Sequence, residues 1–151
     1  MNNMRVKKRD GSLKPIDIEK IHRVVEWACE GKDASASLIV LRAQLEMYDG
    51  IETSDIHAII TKAAADLISA ETPDYQSVAA NLKMFELRKV AYGDYTPPHL
   101  LDHVKKMVEG NWYDKDLLNN FSKEEWDAMN DMVDHSLDFK YSYAAAVSYT
   151  H

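Results

Sequence analysis

Val6–Arg23 reads VKKRDGSLKPIDIEKIHR, and the fold of the first half of the chain follows from it. Residues 5–9 form a short extended run and Asp10-Gly11 a turn pair, because glycine accepts positive φ without a steric penalty; Ser12–Ile16 should return as a second strand. Pro15 has no N–H to give to a ladder, so that strand is expected at an edge. Asp17 then stands as an N-cap before Ile18, Ile21, Val24, Val25 and Ala28, a spacing that predicts a helix closed by Gly31. The same stretch gathers Lys7, Lys8, Arg9, Lys14, Lys20 and Arg23, a concentration of positive charge that asks for an anion.

Working outward, Ser35–Tyr48 reads as a second helix with Leu38, Leu41 and Leu45 on its apolar stripe, stopped at Asp49-Gly50. Thr53 is expected to cap a third, whose broad apolar face comprises Ile56, Ile59, Ile60, Ala63, Leu67 and Ile68. Thr72-Pro73 starts a fourth, with proline at the first helical position, and this helix runs to about Tyr92 and stops at Gly93. Pro97-Pro98 marks a boundary, since the residue before a proline is pushed out of the helical region. A first domain is therefore expected over residues 1–95, with short helices over 96–151: HLLDHVKKMVEG, then SKEEWDAMNDMVDH, whose Ser122 and Glu125 have capping-box spacing. The fold class is mainly α with a small β-hairpin. The aromatic tail carries Phe139, Tyr141, Tyr143 and Tyr149.

Composition narrows the function. The chain has 151 residues, 46% hydrophobic, and a net charge of -7, enough apolar content for a core and the wrong sign for a nucleic-acid or anionic-membrane surface. The average hides an asymmetry. Residues 1–23 hold seven cations and three anions, the remainder 11 cations and 22 anions, so the positive charge is local and suits a small anionic ligand. A single cysteine, Cys29, excludes an internal disulfide and a cysteine zinc site and fits a reducing cytoplasm. No apolar run approaches the ~18 residues of a membrane span, and the polar start lacks the centre of a signal peptide. A cytoplasmic protein is expected.

Alternation along the first strand sends Lys7 and Arg9 to one face and Lys8 to the other, with Lys20 and Arg23 on the following helix. A phosphate chain gripped between hairpin and helix is one reading; solvated cations that keep an edge hairpin from aggregating are the other. His99 and His103, at i, i+4, have a spacing that can share a metal but lack a third ligand nearby. Glu124, Glu125, Asp127, Asp131 and Asp134 read as a solvated helix face. Cys29 reads as a small packed residue with no histidine set to activate it. No catalytic triad, redox pair or metal cage is present.

Three segments, KRDGSLKPIDIEKIHRVVEWACEG, YDGIETSDIHAIITKAAADLI and PDYQSVAANLKMFELRKVAYG, closely resemble successive parts of the ATP-cone, the allosteric nucleotide-binding domain at the N-terminus of the large (α) subunit of class I ribonucleoside-diphosphate reductases. The similarity continues through PPHLLDHVKKMVE, YDKDLL and DMVDHSLDFKYSYAA, covering roughly residues 5–146. The resemblance implies a β-hairpin capping a four-helix bundle that binds ATP as activator and dATP as inhibitor, with Mg2+. It implies phosphate contacts from Lys8, Arg9, Lys20 and Lys89, and nucleoside contacts from Val6, Ile21, Thr53, His57 and Phe85. Asp55 and His57 fall where the family tells ribose from deoxyribose. Lys14 and Pro15 depart from the polar, often acidic residues of that strand.

The family's reduction of ribonucleotides to deoxyribonucleotides, the supply for DNA replication, needs radical and redox cysteines in a barrel that this sequence does not contain. The expectation is therefore a regulatory piece of the large subunit, split or truncated after residues 96–151. Its partners would be the remainder of that subunit and the small (β) subunit. A free-standing or vestigial interaction module is the alternative. A transcriptional repressor built on an ATP-cone would need a cysteine zinc ribbon, which one cysteine cannot make.

Overall fold

The structure, a computed structural model, describes residues 3–150; the side chain of Tyr149 lies outside the described residues. Two short strands, β1 (Arg5–Lys7) and β2 (Leu13–Pro15), precede four helices: α1 (Ile18–Cys29), α2 (Ala36–Gln44), α3 (Thr53–Ala65) and α4 (Tyr75–Tyr92). A third strand, β3 (Ile51–Glu52), lies between α2 and α3. After them come α5 (Leu100–Glu109), α6 (Lys123–Met132) and α7 (Tyr143–Thr150), with 3-10 turns at Lys115–Asn119 and His135–Phe139.

The hairpin forms as its turn chemistry requires. Gly11 has φ of 82°, Asp10 accepts from the Ser12 N–H at 2.9 Å, and Lys7 pairs with Leu13 and Arg5 with Pro15. The strand order β2-β1-β3 leaves Pro15 on an edge strand, where its missing N–H breaks no ladder. The expected simple hairpin is in fact a three-stranded sheet. β3 runs parallel to β1, Val6 opposite Ile51 and Lys7 opposite Glu52. A two-residue strand is too short to show an alternating pattern of its own, and it is held by the turn before it: Gly50, at φ 85°, donates its N–H to the Arg5 carbonyl at 2.8 Å.

Two compact units result. The first comprises residues up to Glu86 together with those from Asp138 onward; the second is Leu87–Leu137. Val25, Ile39, Ile51, Ile60, Val78 and Leu82 are fully buried in the first, each burial contributing roughly 1.5–3 kcal/mol. Asp17 caps α1 by accepting from the Lys20 N–H at 3.0 Å, and Asn81 of α4 donates to the Ala28 carbonyl at 3.0 Å, satisfying a carbonyl in the last turn of α1.

Three helical details differ from expectation. α2 ends at Gln44 and buries Ile39, Val40 and Ala43, while Leu38, Leu41 and Leu45 face outward, Leu45 at 83% exposure. The two candidate stripes lie on adjacent faces of one short helix, and the β-branched one packs. α3 is preceded by Glu52 as N-cap, without a side-chain cap bond, and Thr53 is its first residue, because the pairing of Glu52 with Lys7 carries the strand up to that point. Leu67 and Ile68 lie past its end. Pro73 sits in the turn before α4, whose helix begins at Tyr75.

In the second unit α5 packs on α6. His99 caps α5 by accepting from Leu101 N–H at 3.1 Å through Nδ1, and Ser122 caps α6 by accepting from Glu125 N–H at 3.2 Å. Arg88 donates to the carbonyls of Tyr95 and His135 at 3.3 and 2.9 Å. Among the described residues no helix is long and apolar enough to cross a membrane.

Candidate functional site

Strand alternation sorts the cations. In β1, Val6 is buried while Arg5 and Lys7 are exposed, so the last two share an outer face. Arg5 reaches Asp49 through Nε at 3.1 Å and Nη2 at 2.6 Å, and its backbone N–H meets the same carboxylate at 2.7 Å. These donors hold the Asp49 carboxyl down at about 2. Lys7 stands opposite Glu52 in the parallel register, and its Nζ lies 3.4 Å from Oε1.

The remaining cations are not neutralised in this way. Lys8 is half-buried immediately beyond β1, Arg9 is exposed in the turn, and Lys20 is exposed in the first turns of α1. Among the described residues none of these three, nor Arg23, has a carboxylate within ion-pair reach. Cations without counter-charges are available to an anion, which they can bind through charge-assisted hydrogen bonds.

The candidate nucleoside-end residues fall on β1, α1, α3 and α4. Val6, 4% exposed, lies beside Ile51. Thr53 opens α3 directly after β3 and donates its hydroxyl to the Lys7 carbonyl at 3.5 Å, which brings Val6, Lys8 and Thr53 together at one end of the sheet. Asp55 is exposed in the first turn of α3 and His57, two residues on, is buried. With no side-chain cap, the N–H groups of that first turn keep their positive field. Ile21 is half-buried on the packed side of α1. Phe85 on α4 has its ring centroid 6.3 Å from Trp27 of α1. Lys89 belongs to the second unit, where its ammonium lies 5.2 Å from the Tyr95 ring centre, a cation–π contact.

Sequence reasoning missed the acids that divide the cations, Asp49 and Glu52. Their roles depend on the β1–β3 register, which no local pattern shows. It did not foresee that Trp27 meets Phe85. Both nitrogens of His99 are engaged, Nδ1 by the cap and Nε2 by Asp127 at 3.0 Å, and among the described residues no three metal-ligating side chains cluster. Burial, then the charge of Glu26, pushes the Cys29 thiol up to about 11, the wrong direction for a nucleophile.

With this geometry in place, the sequence pattern of the ATP cone domain matches residues 4–90. The chain belongs to the ATP-cone family. The matched ATP-cone stretch contains all ten candidate contacts, Lys89 included. The chain is 54% identical over 144 residues to the ribonucleoside-diphosphate reductase 1 subunit alpha of Escherichia coli K12, covering 95% of this chain and 19% of that protein. It is 53% identical to the subunit alpha of Haemophilus influenzae with the same coverage. To the subunit alpha of Enterobacteria phage T4 it is 37% identical over 147 residues, 97% of this chain and 20% of that protein. It therefore spans about a fifth of the length of the curated relatives it matches.

Proposed function

We propose that this ATP-cone chain is the allosteric, nucleotide-binding portion of a ribonucleoside-diphosphate reductase large subunit, with ATP as activator and dATP as inhibitor. The observation that carries the reading is the division of the cations: Arg5 and Lys7 are matched by Asp49 and Glu52, whereas Lys8 and Arg9, just past β1, and Lys20, in α1, have no carboxylate partner among the described residues. Three monovalent cations do not balance a fully ionised triphosphate, and Mg2+ would offset the rest. The base and sugar would meet Val6, Ile21, Thr53, Asp55, His57 and Phe85. In this reading residues 1–95 form the cone, a four-helix bundle beneath its sheet, and residues 96–151 lead toward the catalytic remainder.

Regulation then works as a population shift in a cytoplasmic enzyme. A nucleotide that favours one arrangement of large and small subunits over another biases the assembly by its differential affinity, and the assembly biases nucleotide affinity in return. A ligand at a hundred times its Kd stabilises the native state by about 2.7 kcal/mol, which for a chain of this size raises Tm by roughly 5–10 °C. The test is thermal melting and calorimetric titration with ATP and with dATP, on the parent chain and on the double variant Lys8→Ala, Lys20→Ala. A rise in Tm with both nucleotides, with different affinities, abolished in the double variant, is expected. No rise with either nucleotide favours an interaction module that binds none, and titrations unchanged in the double variant remove the site assignment.

A further inference from the structure

Phe85 is held on two sides. Besides Trp27, it meets Phe139, with ring centroids 5.1 Å apart at 47°, and Phe139 belongs to the segment that returns to the first unit after Leu137. That segment continues into α7, which buries Ala146 completely. Tyr143 and Val147, one turn apart, line a cleft of about 180 Å³ together with Ala58 and Thr61 of α3 and Lys83 and Glu86 of α4. The Thr61 hydroxyl is buried with no hydrogen-bond partner among the described residues. A helix of eight residues does not hold together in water by itself. Its order depends on docking, and a short docked element of this kind opens at less cost than the core.

We propose that residues Asp138–Val147 act as a strap that fixes the Phe85 ring, so that nucleotide binding and docking of the strap are positively coupled. The inference rests on the nucleotide reading above, in which Phe85 meets the nucleoside. A strap that pre-orders Phe85 removes part of the ordering that the ligand must otherwise impose, and by reciprocity the bound ligand tightens the strap. Whatever draws the strap away lowers nucleotide affinity.

The test is hydrogen exchange of the full chain with and without ATP, joined to ATP titration of Phe139→Ala. Exchange across residues 139–147 slows on ATP addition. Deleting one aromatic contact lowers ATP affinity by about 2- to 10-fold. Protection of the hairpin and α1 with exchange at 139–147 unchanged or faster overturns the strap and leaves nucleotide binding standing, as does a Phe139→Ala chain that binds ATP as tightly as the parent. If ATP protects no part of the chain, the nucleotide reading falls and the strap with it. Should Phe139→Ala fail to fold, the exchange measurement on the unaltered chain decides.

Discussion

Lys7 and Lys8 are adjacent and chemically identical, yet the structure gives them different surroundings, and replacing each by alanine separates the two. Lys7 shares a face with Glu52, 3.4 Å away, with both side chains about half exposed at 50% and 54%. The pair is close to neutral as seen from the end of the sheet. Removing Lys7 leaves a solvated carboxylate whose field decays over ~8 Å at physiological salt, so ATP affinity should fall less than about 3-fold. Among the described residues Lys8 has no carboxylate partner, and its ammonium can form a charge-assisted bond to phosphate. Losing such a bond costs about 1.5–3 kcal/mol, or roughly 10- to 150-fold in Kd. Glu52→Gln provides the reciprocal control: it releases Lys7, and affinity should hold or tighten slightly. Isothermal titration of the three variants at fixed ionic strength reads all of this. Equal losses for Lys7→Ala and Lys8→Ala would show that the strand faces do not sort the cations, and the argument for the site would fail.

Three further outcomes can be measured on the chain alone. Ile39→Ala should lower stability by about 2–5 kcal/mol, the cost of a cavity at a fully buried site, whereas Leu45→Ala, on the outward stripe, should stay within about 0.5 kcal/mol in urea titration. Arg5 holds the Asp49 carboxyl at about 2 against an ordinary 3.8. A depressed carboxyl contributes stability above its unfolded value and loses it as pH falls through the folded one, so Asp49→Asn should flatten the dependence of Tm on pH between 3.8 and 2. Cys29, raised from 9.0 to about 11, holds roughly a hundredfold less thiolate at neutral pH than an ordinary thiol. Its alkylation should be slow in the folded chain and speed up sharply in denaturant; a fast native reaction would contradict its burial.

Much of the first half was legible because its signals are local. The Asp10-Gly11 turn, the Asp17 cap and the Gly93 stop each draw on neighbours within a few residues, and each lies in the structure where its chemistry puts it. The α2 stripe shows the limit of such signals. Leu38, Leu41 and Leu45 satisfy helical periodicity as well as Ile39, Val40 and Ala43 do, and a helix of nine residues is too short for either pattern to dominate. What decides between them is the shape of the surfaces on α1 and α3, to which α2 packs, and that is a property of the whole unit.

The candidate site divides along the same line. That positive charge gathers near the hairpin can be counted from the sequence, but a count cannot tell a ligand site from a solvated edge. Which of the cations are paired is decided by Asp49 and Glu52, more than forty positions from the cations they neutralise. They reach β1 only because α1 and α2 carry the chain back to lay β3 beside it in parallel register. Since β3 leads straight into α3, the crossover that pairs Arg5 and Lys7 with acids also delivers Thr53 and the start of α3 to the end of the same strand. Fold and site are therefore one decision. A substitution that prevents β3 from pairing, such as Ile51→Pro, would disperse the site as well as the sheet, and nucleotide binding would be lost even with all the candidate phosphate ligands in place.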